Sequence, residues 1–262
     1  MKKLIVIDAG NSDIVVALIL NFKITKIYRC KTKVFKNIKD IKSLKYKLFS
    51  FLNKRTDKNF NVPSIISSVV PEINNKLSKI CLSFFNKKPI FVSSDKISLN
   101  INIKIKIKKQ KELGSDRIAN TVAVKRYYKY PAIIVDFGTA TTFDVIDKSG
   151  DYIGGLIAPG INLSLDSLYR KTSKLPLIKL KKTKKVIGKS TISAMQNGIY
   201  WGYIGLVSFL IKKIKLEYKF KFNTISTGGY AKILSPNIKE INKIDENLTI
   251  LGLIEIFKLN YV

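Results

Sequence analysis

The sequence contains no histidine, only two cysteines and only five arginines. Without histidine the chain lacks the side chain that most often moves protons near neutral pH, so acid–base work falls to Asp, Glu, Lys or Tyr. Cys30 and Cys81 stand alone with no Cys-x-x-Cys pair, a pattern that excludes a zinc ribbon and a disulfide framework. No run of about 20 apolar residues occurs, so no membrane-spanning helix is expected. The opening MKKLIVI imitates a secretion signal, but Asp8, Asn11 and Asp13 break its apolar run. These absences lead to the expectation of a soluble, cytoplasmic protein without a zinc site, a disulfide framework or imidazole chemistry.

Lysine is in excess. Of 262 residues, 48 are Lys or Arg and 18 are Asp or Glu, a formal charge of +30. Such a charge suits a polyanionic partner. Arginine, the residue that reads bases by bidentate contacts, is nevertheless scarce. Lys, Ile and Asn are abundant together, and all three have AT-rich codons, so the charge is read as compositional bias. Nucleic acid is not expected as a partner. Apolar residues make up 46% of the chain, which is enough for a real core.

Residues 4–8, 13–20 and 23–30 read as three β-rich strands with tight turns. A helix is expected over 38–53, where apolar residues recur at helical spacing, and a buried strand over 64–70. Pro71 opens the next helix, and 89–93 reads as a strand. Residues 101–107 (INIKIKI) alternate strictly, as in an edge strand with Lys outward. A helix over 115–128 is expected at the join of the two halves, followed by strands from 132 and near 151–158. The Lys-rich stretch 173–189 reads as loop and 190–216 as a long helix. A strand over 222–227, a helix from Tyr230 and a final helix complete the pattern. Two similar α/β domains, 1–112 and 113–262, are therefore expected.

The division rests on a repeat. LIVIDAGNSDIVVAL (4–18) and AIIVDFGTATTFDVI (132–146) have the same form, with Asp8 matching Asp136 and Gly10 matching Gly138. A glycine turn lets backbone approach a phosphate, and backbone N–H groups with hydroxyls can cradle it. An Asp beside the phosphate makes sense when a cation lies between them. The Walker-type and GxGxxG patterns are not satisfied. GSDRIAN (114–120) places Asp116 and Arg117 at a helix start, where the dipole favours anions. Asp116 can take a proton from an attacking hydroxyl, and Arg117 can clamp a carboxylate or phosphate. STGGYA (226–231) pairs Gly228 with Gly229 between strand and helix, which allows close approach of a flat ring or ribose.

The ordered set DAGNS, SSVVP, GSDRIAN, DFGTATT, GGLIAPG and STGG resembles that of the type III pantothenate kinases, of the actin, sugar kinase and heat-shock chaperone ATPase superfamily. The resemblance runs from Asp8 to about Ala231. It implies two ribonuclease-H-like (actin-like ATPase) α/β domains with a cleft between them, a homodimer, and ATP-dependent phosphorylation of pantothenate, the first step of coenzyme A synthesis. ATP with Mg²⁺ and a monovalent cation, K⁺ or NH₄⁺, are implied as cofactors. By position, Asp8, Ala9, Gly10, Asn11, Ser12, Asp13, Ile14 and Val15 would bind ATP phosphates, and Thr139 would also touch ATP. Gly228 and Gly229 fit its adenosine end. Gly114, Ser115, Asp116, Arg117 and Thr191 would contact pantothenate, with Asp116 as proton acceptor, and Asp136 would hold the monovalent cation. Ser12 stands where the family usually has Thr. Ile107 and Gln110 stand at the places of an aromatic residue and a proline.

Overall fold

Both Asp-x-Gly turns close antiparallel hairpins, and each hairpin belongs to a five-stranded sheet in the computed structural model, which describes residues 2–33, 61–93 and 99–262. The helix expected over 38–53 lies outside the described residues. The first sheet contains β1 (Lys3–Ala9), β2 (Asp13–Leu20), β3 (Lys23–Lys31), β4 (Ser64–Ser68) and β5 (Ile90–Val92), in the order β3-β2-β1-β4-β5. Helix α1 (Pro71–Phe85) follows β4. Helix α2 (Ser115–Tyr127) leads to β6 (Ala132–Phe137), β7 (Ala140–Ile146), β8 (Tyr152–Pro159), α3 (Ile161–Lys171) and α4 (Thr191–Tyr218). The chain ends with β9 (Asn223–Thr227), α5 (Ala231–Leu234), β10 (Lys243–Ile244) and α6 (Leu248–Tyr261). The second sheet runs β10-β9-β6-β7-β8.

Read from the opposite edge, the second order is the first repeated. In each sheet a three-stranded antiparallel meander is extended from its first strand by two parallel strands. Strands β1 and β6 are central and nearly continuous apolar runs, as expected where both faces are covered. In the first unit Ile5, Ile7, Ile14 and Val16 pack with Ile73, Leu77, Ile80 and Phe84, which recur at helical spacing along α1. Pro71 sits in the first turn of that helix, and Asn86 ends it in a left-handed conformation with its N–H on the Leu82 carbonyl. In the second unit Ile133, Val135, Phe143 and Val145 pack with Ile161 and Leu165 of α3 and with Tyr203, Val207 and Ile211 of α4. Helix α4 is started by a reciprocal capping box between Ser190 and Ser193.

The chain does not change units once near residue 112. Met1–Asn102, Lys108–Arg126 and Thr249–Val262 group as one compact unit, and Ile103–Ile107 with Tyr127–Leu248 as the other. Helices α2 and α6 thus accompany the first sheet, where a Cβ on Gly252 would run into the Ala119 backbone. Thr249 also donates to Asn120 Oδ1 at 2.8 Å. The expected strand over 101–107 is reduced to a single bridge, Ile105 with Tyr152. Its alternation survives, with Ile105 buried between exposed Lys104 and Lys106. Alternation reports which side is covered, but not whether a partner strand runs alongside. Backbone hydrogen bonds from Lys106 N to Tyr152 O (2.8 Å) and from Tyr152 N to Lys104 O (2.9 Å) hold the segment, together with Lys106 Nζ, 2.6 Å from Asp147 Oδ2 and 3.0 Å from Asp151 Oδ2. The helix expected from Tyr230 is one turn long, Ala231–Leu234, because Pro236 follows in a 3₁₀ turn. Residues 173–189 carry no helix or strand, as their composition indicates.

Candidate functional site

The first turn sits where β1 ends. The Gly10 N–H donates to the Asp13 carbonyl at 3.0 Å, and Thr32 ties the turn from outside through its N–H to Ser12 O (3.0 Å) and its hydroxyl to Gly10 O (2.6 Å). Asp13 is ion-paired with Lys31 at 2.9 Å. Ala9, Ile14 and Val15 have their side chains in the core, so only their backbone can serve a ligand. Asn11 is exposed, and Ser12 and Asp13 are partly exposed.

Asp8 is the unusual group. The residue keeps some solvent contact, yet its carboxyl is enclosed and its pKa is pushed up to about 7. Removal from water is the largest cause, and the Asp116 carboxylate adds to it. A hydrogen bond from Ser67 and the charge of Arg29 pull the other way. Asp116, at the start of α2, is itself raised by burial, against the Arg117 N–H bonded to its Oδ1 at 2.8 Å and the Arg117 charge. Two carboxylates that each resist ionisation form a place where a cation is welcome. Among the described residues no group of three or more His, Cys, Asp or Glu forms a ready-made metal site. This donor set suits Mg²⁺, which usually keeps several waters and binds through one or two carboxylates plus substrate phosphates.

The loop before α2 is shaped around Asp116. A Cβ on Gly114 would lie 2.5 Å from Asp116 Oδ1 and 3.6 Å from Val69 Cγ1. Only the carboxylate can yield, so Gly114→Ala is expected to leave the fold intact and displace Asp116. The expected result is a fall in kcat of about tenfold or more, since catalysis tolerates little misplacement, with an unfolding temperature near wild type. Steady-state kinetics beside a thermal melt checks this, and an unchanged kcat would mean the carboxylate position is not critical.

In the second unit the same construction surrounds Asp136. The Gly138 N–H donates to the Ala140 carbonyl at 3.1 Å, and Gly138 and Thr139 are exposed at the turn. Gly228 has φ +90, and a Cβ there would strike the Asp136 carboxylate and the Phe137 backbone. Gly160 is pressed on the turn, its hypothetical Cβ 2.7 Å from Gly138 O. Gly228 thus packs directly on the Asp136 carboxylate, and Gly160 on the turn that follows it. Gly229 is open, with nothing within 4 Å of a Cβ. Thr191 is exposed as the first residue of α4.

Each unit therefore gathers its own set: Asp8–Val15 with Gly114–Arg117 in the first, and Asp136, Thr139, Gly228 and Gly229 in the second, where Thr191 also lies. Two residues missing from the sequence-based set belong beside them, Ser67 next to Asp8 and Gly160 against the Thr139 turn. Both occur inside quoted motifs, SSVVP and GGLIAPG, so the signal was present without a role.

The pattern of a family described as Type III pantothenate kinase matches residues 4–213. A type III pantothenate kinase of Paramagnetospirillum magneticum is 39% identical over 98% of this chain and 97% of its own length. One from Syntrophus aciditrophicus is 39% identical over 98% of this chain and 99% of its own. Among solved structures, MreB 5 of Spiroplasma citri bound to AMPPNP superposes with a TM-score of 0.54 at 13% identity, covering 98% of this chain and 96% of that one. That likeness concerns the fold alone.

Proposed function

The chain belongs to the type III pantothenate kinase family and phosphorylates pantothenate to 4′-phosphopantothenate with ATP as donor, the first step of coenzyme A biosynthesis; from that premise we propose how its residues divide the work. The assignment is carried by the family match over residues 4–213, and the division of roles starts from the enclosed Asp8 and Asp116 carboxyls, both raised by burial. The Asp8–Val15 turn takes the ATP phosphates, Thr139 touches ATP, and Gly228 with Gly229 admits the adenosine end. Asp8 would hold Mg²⁺ together with the phosphates, and the ion would neutralise charge on the transferring group. Asp136 would hold K⁺ or NH₄⁺. Gly114, Ser115 and Thr191 contact pantothenate. Arg117 clamps the pantothenate carboxylate, and its N–H and charge oppose the rise that burial imposes on Asp116. Asp116, a stronger base for being buried, accepts the proton of the primary hydroxyl. Cys30 and Cys81 are in no disulfide, which suits the cytoplasm, where such an enzyme meets ATP.

The test is incubation with ATP, Mg²⁺, K⁺ and pantothenate, with product identified by mass and Na⁺ replacing K⁺ in a second arm. No product would remove the assignment. Equal rates in Na⁺ and K⁺ would remove the cation role of Asp136, and an unchanged pantothenate KM in Arg117→Ala would remove the clamp.

A homodimer is supported by helix α4. Gly198, Gly202 and Gly205 lie on one exposed face with nothing within 4 Å of a Cβ, continued by Phe209 (59% exposed) and Leu216 (69%). Each helical glycine costs about 0.5–1 kcal/mol against alanine, and among the described residues no close contact offsets it. A second copy of the helix, approaching backbone to backbone, would. Gly202→Glu is expected to give monomers by light scattering without lowering the unfolding temperature. A dimer that persisted would place the interface elsewhere.

A further inference from the structure

Ser67 has no part in the assignment above, yet it stands in register with Asp8 on the neighbouring parallel strand. The second half repeats the arrangement, with Thr227 in register with Asp136. Residues paired across adjacent strands point to the same face of a sheet, so each half sets a hydroxyl beside its turn aspartate. Ser67 is 0% exposed and Thr227 2%. In both copies the hydroxyl takes a place that a core strand would otherwise fill with an apolar side chain.

In the first half the hydroxyl continues into a chain. Ser67 hydrogen-bonds Asp8, and its Oγ lies 3.0 Å from Ser115 Oγ. Ser115 Oγ accepts the Ser68 N–H at 3.0 Å and lies 3.2 Å from the Ser68 carbonyl. A serine hydroxyl has one proton to give. An ionised Asp8 can only accept, so Ser67 donates to it. The Ser67 oxygen is then open to the proton of Ser115, whose own oxygen takes the Ser68 N–H. The single Ser115 proton is shared between the Ser68 carbonyl, to which its Oγ donates at 3.2 Å, and the Ser67 oxygen 3.0 Å away, so the Ser68 backbone, Ser115, Ser67 and the Asp8 carboxylate form one hydrogen-bonded set. Ser115 is the first residue of α2 and Asp116 the next, so the chain links the phosphate turn to the helix end that carries the proton acceptor.

We propose that Ser67 is a positioning residue for phosphoryl transfer, its hydroxyl holding the Asp8 carboxylate and the first turn of α2 in one frame through Ser115. This rests on the pantothenate kinase assignment. The simpler role, satisfying buried polar groups, predicts a loss of stability and nothing more.

The experiment is a double-substitution cycle in steady-state kinetics with thermal melts alongside. Ser67→Ala is expected to lower kcat ten- to a hundredfold, as misplaced catalytic groups do, with pantothenate KM within about threefold of wild type. Ser67→Thr, which keeps the hydroxyl as the second half does, is expected to restore most of that loss. Because Ser67 acts through Ser115, Ser67→Ala combined with Ser115→Ala should lose little beyond the worse single variant. A Ser67→Ala protein that melts earlier but keeps wild-type kcat would overturn the proposal, as would losses that multiply in the double variant. Product formation by the wild type, measured in the same assay, tests the kinase assignment separately.

Discussion

Replacing Asp116 by Asn is expected to lower kcat a hundredfold or more while ATP still binds at least as well as to the wild type. The change is nearly isosteric, and Asn can still accept the Arg117 N–H that now meets Oδ1 at 2.8 Å. The first turn of α2 should therefore hold its shape. What disappears is the carboxylate proposed as the base, and general-base catalysis contributes typically 10²–10⁴-fold. The Asp116 carboxylate is also one of the causes that raise Asp8. Its removal lets Asp8 ionise more readily, which favours a cation-bound nucleotide. Rates with pantothenate and a calorimetric titration with Mg²⁺ and ATP check the two halves of the prediction. Turnover at the wild-type level would mean that another group takes the proton.

Replacing Asp8 by Asn is expected to give a protein that is more stable and nearly inactive. The Asp8 pKa of about 7 in the folded state lies above the ordinary 3.8, so the native state binds this proton more tightly than the unfolded chain does. The stability this group contributes is fully present below the ordinary carboxylate value and is lost as pH rises through 7. At about 1.4 kcal/mol per pH unit, the loss above pH 7 is on the order of 4 kcal/mol. Asn has no charge to bury, so at pH 8 the variant should melt several degrees above wild type. The difference should shrink to nothing toward pH 4. Activity is expected to fall because the charge proposed to hold Mg²⁺ has gone, the usual opposition between a functional site and a stable fold. A variant less stable than wild type at pH 8 would mean that Ser67 and Arg29 stabilise the charge more than burial opposes it.

The repeated Asp-x-Gly phrase announced the repeated architecture, and the two matching strand orders follow from it. Helix α1 was legible because Pro71 opens it, and the stretches expected as helix at 190–216 and LGLIEIFKL became α4 and α6. Asp116 and Arg117 were legible as a charged pair at a helix start. Residues 101–107 misled because their alternation reflects one-sided burial, with a single bridging partner among the described residues.

Ser67 shows the limit most plainly. In SIISSVV it reads as one small residue in a buried strand, and its meaning depends on the parallel pairing of β4 with β1. That register is set by long crossovers and by packing over a whole face of the sheet. Gly160 and Gly228 are alike in this respect, since the turns they leave room for are supplied by other strands. The allocation of α2 and α6 to the first unit is likewise a matter of which apolar faces find each other across the chain. The sequence by itself determined what is local: the two turns, the strands and helices around them, and the acidic and hydroxyl groups they display. Only the tertiary structure decided which of those groups stand together, because the distances between strands and helices are set by packing among segments far apart in the chain.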